Sequence, residues 1–116
     1  MRNTGMRLEH YPPAKLAREL LDIMRRHLDL TKYRVFFFGS RVTGMGDDRS
    51  DVDVGIEGAA PVPSAALEAI TEDVRALRTL YTIEVVDFAT TSDAFRRVAK
   101  ERVELIEEVA ATGTQS

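Results

Sequence analysis

Residues Phe36 to Gly58 read FFFGSRVTGMGDDRSDVDVGIEG. Three phenylalanines run into Gly39-Ser40, ten residues intervene, and Asp51-Val52-Asp53 follows. Tyr33 to Phe38 is a short, unbroken apolar and aromatic run closed by glycine, the pattern of a buried strand. Asp51 to Glu57 predicts a second strand. Side chains two apart on a strand share a face, so Asp51 and Asp53 aim together while Val52 and Val54 turn to the core. Carboxylates about 5–7 Å apart repel by about 2–3 kcal/mol at an effective dielectric near 20. A divalent cation between them relieves that repulsion, and hard oxygen donors suit Mg²⁺ or Mn²⁺.

Gly39-Ser40 supplies a complementary half. Glycine lets an anion approach the backbone closely. Ser40 can cap a short helix over Arg41 to Gly44, whose free N–H groups attract phosphate. Arg41 adds a positive charge. Alone, a D-x-D is ordinarily a solvated strand start and a Gly-Ser a turn. A calcium loop of the EF-hand type does not fit, because Val54 and Gly55 follow Asp53 where that pattern wants glycine directly after the third ligand. The sequence holds neither a Walker-type phosphate loop nor G-x-G-x-x-G.

Outward from this stretch, Leu16, Leu20, Ile23, Met24 and Leu28 mark a helix begun by Pro13. After a small-residue loop over 58–63, Ser64 is a candidate cap for a second amphipathic helix carrying Leu67, Ile70, Val74 and Leu77. Tyr81 to Phe88, YTIEVVDF, predicts a third strand. Thr91 or Ser92 then caps a last helix whose apolar face is Phe95, Val98, Ala99, Val103, Ile106 and Val109. The order is α-β-α-β-α-β-α: an α+β fold with α/β-like order, a small mixed sheet with helices packed on it. Residues 1–12 read as a loose arm, 13–111 as one domain and 112–116 as a frayed tail.

At 116 residues the chain suits a single domain. No cysteine is present, which removes disulfides and thiolate metal sites. No apolar run reaches the roughly 18 residues of a membrane span and no signal-peptide core opens the chain, so the expected compartment is the cytoplasm. Net charge is −3, which argues against a grip on long nucleic acid. A small, metal-bound nucleotide remains compatible.

Glu84 and Asp87 lie three apart on the third strand, so they face opposite sides and only one can join Asp51 and Asp53. A strand-end aspartate such as Asp87 also commonly caps the next turn. His10 falls in the arm and His27 late in a helix, where a cation suits the dipole. Glu101, Glu104, Glu107 and Glu108 read as a solvated helix face. Phe36 to Phe38 read as core rather than as a base-stacking platform.

Taken together, Gly39-Ser40, ten residues and Asp51-Val52-Asp53 resemble the GS-x10-D-x-D signature of minimal nucleotidyltransferases, in the DNA polymerase β-like superfamily. The wording GSR at 39–41 and SDVDV at 50–54 is similar too. Element order and the third strand followed by Ala94-Phe95-Arg96-Arg97 extend the resemblance over about residues 14–110. The resemblance implies a nucleotidyltransferase fold, ATP as substrate on Gly39, Ser40 and Arg41, and metals on Asp51, Asp53 and a third carboxylate. It carries that third role onto Glu84, with Asp87 second. Here the chain departs from the usual aspartate, and the extra methylene moves the carboxylate by about 1.5 Å. The resemblance further implies the antitoxin of a pair, moving AMP onto a tyrosine of an all-helical HEPN toxin encoded nearby. So small a domain leaves the acceptor to a partner or a second copy, hence a hetero-oligomer or at least a dimer. The alternatives are a non-catalytic nucleotide- and protein-binding module that neutralises its partner by contact, and a small-molecule adenylyltransferase.

Overall fold

A computed structural model of the chain describes residues 12–39, 52–79 and 81–112. Helix α1 spans Pro13–His27, with proline in its first turn and Arg25, Arg26 and His27 in its last, where they suit the helix dipole. Leu16, Ala17, Leu20, Leu21, Ile23 and Met24, spaced by three and four, are its buried stripe. Strand β1 is Tyr33–Phe38 and β2 is Val52–Gly58, paired antiparallel with Phe38 opposite Asp53. Helix α2, Ser64–Arg75, carries the chain across to β3, Ile83–Asp87, which therefore runs parallel to β2. A 3₁₀ turn over Phe88–Thr90 leads to α3, Asp93–Ala99. The two-residue β4, Glu104–Leu105, pairs antiparallel with β1, and α4 follows as Ile106–Thr112. The sheet order is β3-β2-β1-β4, a mixed sheet with helices packed on it.

Alternation along the strands divides the core in two. Val35 and Phe37 of β1, Val52, Val54 and Ile56 of β2, and Ile83 and Val85 of β3 pack with α1, α2 and α4. Phe36 and Phe38 point the other way and form a second cluster with Phe88, joined by Val86, Ala99, Val103 and Leu105. Burial of each such aromatic or branched side chain contributes about 1.5–3 kcal/mol. The phenylalanine run is core on both faces of the sheet, as expected of a continuous apolar strand.

Four expectations need correction. The single last helix is two helices with a strand between them. Its supposed apolar face serves opposite sides of the sheet: Ala99 and Val103 pack on the Phe36–Phe88 cluster, whereas Ile106 and Val109 pack with α1. The chain must cross the sheet edge between them, and Glu104–Leu105 cross it as a strand beside Phe37 and Phe36. Glu104 is consequently a half-buried strand residue, while Glu101, Glu107 and Glu108 are exposed. Ser64 is not a cap; Pro63 stands at that position and makes no side-chain capping bond. The third strand is shorter than its apolar run, because Phe88 already turns into the 3₁₀ segment. Ser92, by contrast, caps α3 by accepting a hydrogen bond from the Phe95 N–H at 3.1 Å. The expected helix over 41–44 lies outside the described residues.

Candidate active site

At the end of the sheet where β1 finishes and β2 and β3 begin, Phe38, Asp53 and Glu84 stand in one row across three strands. Residues opposite one another in a sheet share a face, with Cβ atoms about 4.5–5.5 Å apart. The Asp53 and Glu84 carboxylates therefore project side by side from the face opposite α1, α2 and α4. Asp53 is half-buried and Glu84 exposed.

Gly39 closes β1 beside this row. Its φ is +87°, the left-handed region, and a Cβ there would overlap Asp53 Oδ2. Sequence reasoning assigned the glycine to close approach of a phosphate; in the fold the space a side chain would take is filled by the Asp53 carboxylate. Both the backbone angle and the packing require glycine.

The next row on this face is Phe36, Gly55 and Val86. A Cβ on Gly55 would come within 2.5 Å of Phe36 and 2.8 Å of Phe88, so the glycine lets both rings close over β2. Phe88 meets Phe36 and Phe38 edge-to-face at 5.0 and 5.1 Å, a favoured aromatic geometry. Phe95 of α3 adds to them, 6.1 Å from Phe38 and 5.7 Å from Phe88, yet stays 42% exposed. One row further, Glu57 accepts from Arg34 Nη2 at 2.9 Å and from Lys100 Nζ at 2.8 Å. The Lys100 hydrogen bond, seconded by Arg34, holds the Glu57 carboxyl below its ordinary range despite desolvation. Arg96 donates to the carbonyls of Phe88 at 2.9 Å and Thr91 at 2.6 Å and pairs with Asp93. These contacts tie α3 to the sheet and stiffen the floor behind Asp53. Periodicity marked Phe36, Phe38 and Phe95 as apolar but not the Glu57 and Arg96 contacts, although Glu57 has the same parity as Asp53.

Asp87 belongs to a different structure. It lies on the helix-covered face, is buried, and accepts from the Val62 N–H at 2.9 Å and the Ala89 N–H at 3.0 Å. Its role is to cap the strand end and pin the loop before α2, and it stays apart from the Asp53 row. His27 bonds Asp73 Oδ2 through Nε2 at 2.8 Å, joining α1 to α2. That bond, with help from Arg26, keeps the Asp73 carboxyl low. Of the residues singled out by the sequence, Gly39, Asp53 and Glu84 come together. Ser40, Arg41 and Asp51 lie outside the described residues, as does His10.

Two carboxylates from adjacent strands form a hard-oxygen donor pair suited to a divalent cation such as Mg²⁺. The described residues supply two such groups here, and no cluster of three potential metal ligands occurs among them. Beside Glu84, a groove of ≈ 500 Å³ lies between the C-terminal end of α2 and β3, lined by Thr71, Arg75, Thr79, Thr82, Glu84 and Val85 among others. No helix among the described residues is long and apolar enough to cross a membrane.

The family model for the nucleotidyltransferase domain matches residues 17–111. The "Probable protein adenylyltransferase MntA" of Haemophilus influenzae is 30% identical over 101 residues, covering 79% of this chain and 89% of the relative. Among solved structures, a toxin–antitoxin with AMP-PNP superposes with a TM-score of 0.61 at 17% identity, covering 83% of this chain and 82% of the other. A complex of a tri-AMPylated Shewanella oneidensis HEPN toxin with MNT antitoxin gives 0.58 at 16% identity, covering 85% and 82%. At those identities the structures speak to the fold, which they share with this chain. The alignment with the family reaches from α1 into α4 and spans every strand of the sheet, so the chain belongs to the nucleotidyltransferase domain family and is an adenylyltransferase-like enzyme.

Proposed function

We propose that this chain moves AMP from ATP to a hydroxyl, a tyrosine, of a HEPN-type toxin encoded nearby, and so acts in the cytoplasm as that toxin's antitoxin. The observation that carries this reading is the register Asp53 opposite Glu84, with Gly39 folded against the Asp53 carboxylate. The proteins it resembles suggest the acceptor class: a probable protein adenylyltransferase, and an MNT antitoxin in complex with a tri-AMPylated HEPN toxin. Exposed Phe95 and Val98 on α3, 42% and 66% accessible, offer apolar surface of the kind a protein partner covers.

The triphosphate rests on Gly39 and Ser40, with Arg41 offsetting its charge. Asp51, Asp53 and Glu84 would hold Mg²⁺ or Mn²⁺, which would supply neutralisation of the phosphate charge. Glu84 accepts the proton of the acceptor hydroxyl as that oxygen attacks the α-phosphorus. A bond forms between the acceptor oxygen and the α-phosphorus, the bond from that phosphorus to the bridging oxygen breaks, and pyrophosphate leaves with the electron pair. Asp53 is held by Gly39 and the strand, Glu84 by β3, and most of the rate enhancement is positioning and charge neutralisation.

The test is ATP labelled at the α-phosphate, Mg²⁺ and the HEPN-type protein of the adjacent reading frame. The expected result is label on the partner with pyrophosphate released, and none with Asp53→Asn. Nucleotide binding without transfer by the wild-type protein overturns the proposal in favour of a contact antitoxin.

A further inference from the structure

The two edges of the sheet are unlike. On the β4 side the edge strand has two residues, and very short edge strands are a common way to prevent unwanted pairing. On the β3 side it has five, Ile83-Glu84-Val85-Val86-Asp87, with no proline and, among the described residues, no strand beyond it.

The hydrogen-bond pattern shows which groups that edge offers. The Thr82 carbonyl accepts from the Val52 N–H at 2.8 Å. In a parallel ladder alternate residues address the neighbouring strand, so Thr82, Glu84 and Val86 bond toward β2. The N–H and C=O groups of Ile83 and Val85 then point outward. At Asp87 the outward carbonyl is taken by Thr90 Oγ1 at 2.9 Å, which closes that end. The open length of edge is therefore the part that flanks Glu84. The groove borders the same length, between the C-terminal end of α2 and residues 81 to 85, so it opens beside the strand edge.

We infer that this edge is where the acceptor docks: an extended segment of the partner protein adds to β3 as a further strand, with the acceptor hydroxyl on the residue opposite Glu84. The inference rests on the transferase reading above and specifies how its protein substrate is presented. A strand added at about 4.8 Å continues the row Phe38–Asp53–Glu84 outward, and its residue opposite Glu84 points to the same face as both carboxylates. The acceptor proton then passes to Glu84 while its oxygen bonds the α-phosphorus and pyrophosphate departs. Main-chain bonds to Ile83 and Val85 supply affinity without regard to sequence, and the groove's threonines and Arg75 select among segments. A second copy of this chain is the poorer occupant. Antiparallel pairing of two β3 edges centred on the open length sets Glu84 against Glu84, and like charges directly opposite destabilise a sheet.

Amide hydrogen exchange of the wild-type protein with ATP, Mg²⁺ and the HEPN-type partner tests this directly. Protection of the Ile83 and Val85 amides is expected to rise by about tenfold or more on adding the partner. Ile83→Pro removes one outward N–H at the first residue of an edge strand, a position that tolerates proline. It is expected to lower kcat/KM for the partner by about tenfold or more while the Kd for ATP stays within about twofold. Label transfer without any change in edge protection overturns the docking and leaves the transferase reading intact. Edge protection without transfer supports the docking and sinks the transferase reading. Protection that rises with this chain's own concentration, partner absent, overturns the inference in favour of self-pairing.

Discussion

One face of the sheet lies under α1, α2 and α4, its strand residues Val52, Val54 and Ile56 without solvent exposure. Among the described residues the other is roofed by α3, over a patch of aromatic rings, and at its end carries half-buried Asp53 and exposed Glu84. The contrast is sharpest within β3. Glu84 and Asp87 are both acidic and three residues apart, yet Glu84 stands exposed in the Asp53 row while Asp87 is buried under main-chain N–H groups. A carboxylate on the covered face has to be paid for by hydrogen bonds and becomes structural. Glu84, exposed on the other face, does not carry that demand, so chemistry can use it at small cost to folding.

The comparison breaks most readily through the two acids. Glu84→Gln removes a charge from the open face. Transfer is expected to fall on the order of 10²–10³-fold, the scale of losing one preorganised electrostatic group. Thermal stability should hold or rise slightly as repulsion from Asp53 is relieved, which a melting curve beside a single-turnover assay will show. Asp87→Ala should do the reverse. Leaving the Val62 and Ala89 N–H groups without their acceptor costs about 3 kcal/mol, read by urea unfolding, with nucleotide affinity of the remaining folded protein unchanged. Loss of activity in Asp87→Ala at full stability would reverse the assignment of the two acids.

Smaller effects sharpen the account of the open face. Gly55→Ala forces a methyl against Phe36 and Phe88, an overpacking expected to cost about 1–3 kcal/mol. It should also weaken nucleotide binding if the aromatic floor positions Asp53. The smallest effect concerns Glu57, whose carboxyl is held below its ordinary value first by Lys100 and then by Arg34. A depressed folded value means its stabilisation is complete above the unfolded pKa, near 4.5, and is lost as pH falls through the folded value. The two ion pairs lie at the surface, so the amount is about 1 kcal/mol or less. Acid titration of wild type against Glu57→Gln, followed through exchange of the α3 amides, should converge below that range and separate above it.

Much of this was legible in the chain. Helical spacing marked α1, and period-two alternation turned Val52 and Val54 to the core and Asp53 away from it, because both patterns are local properties of the backbone. The spacing from Gly39-Ser40 to Asp51 and Asp53 marked the family. Parity alone also established that Glu84 and Asp87 face opposite sides. Which side meets Asp53 was settled by the register Asp53 opposite Glu84 and by the bond from Val62, contacts between segments far apart in sequence. The same holds for the split of the last helix, where a continuous apolar pattern from Phe95 to Val109 was divided because its halves pack on opposite faces. Periodicity reports which residues share a side of an element. Only the assembled sheet decides what lies on that side, since register and layer order are properties of pairs of segments and no single stretch of sequence contains them.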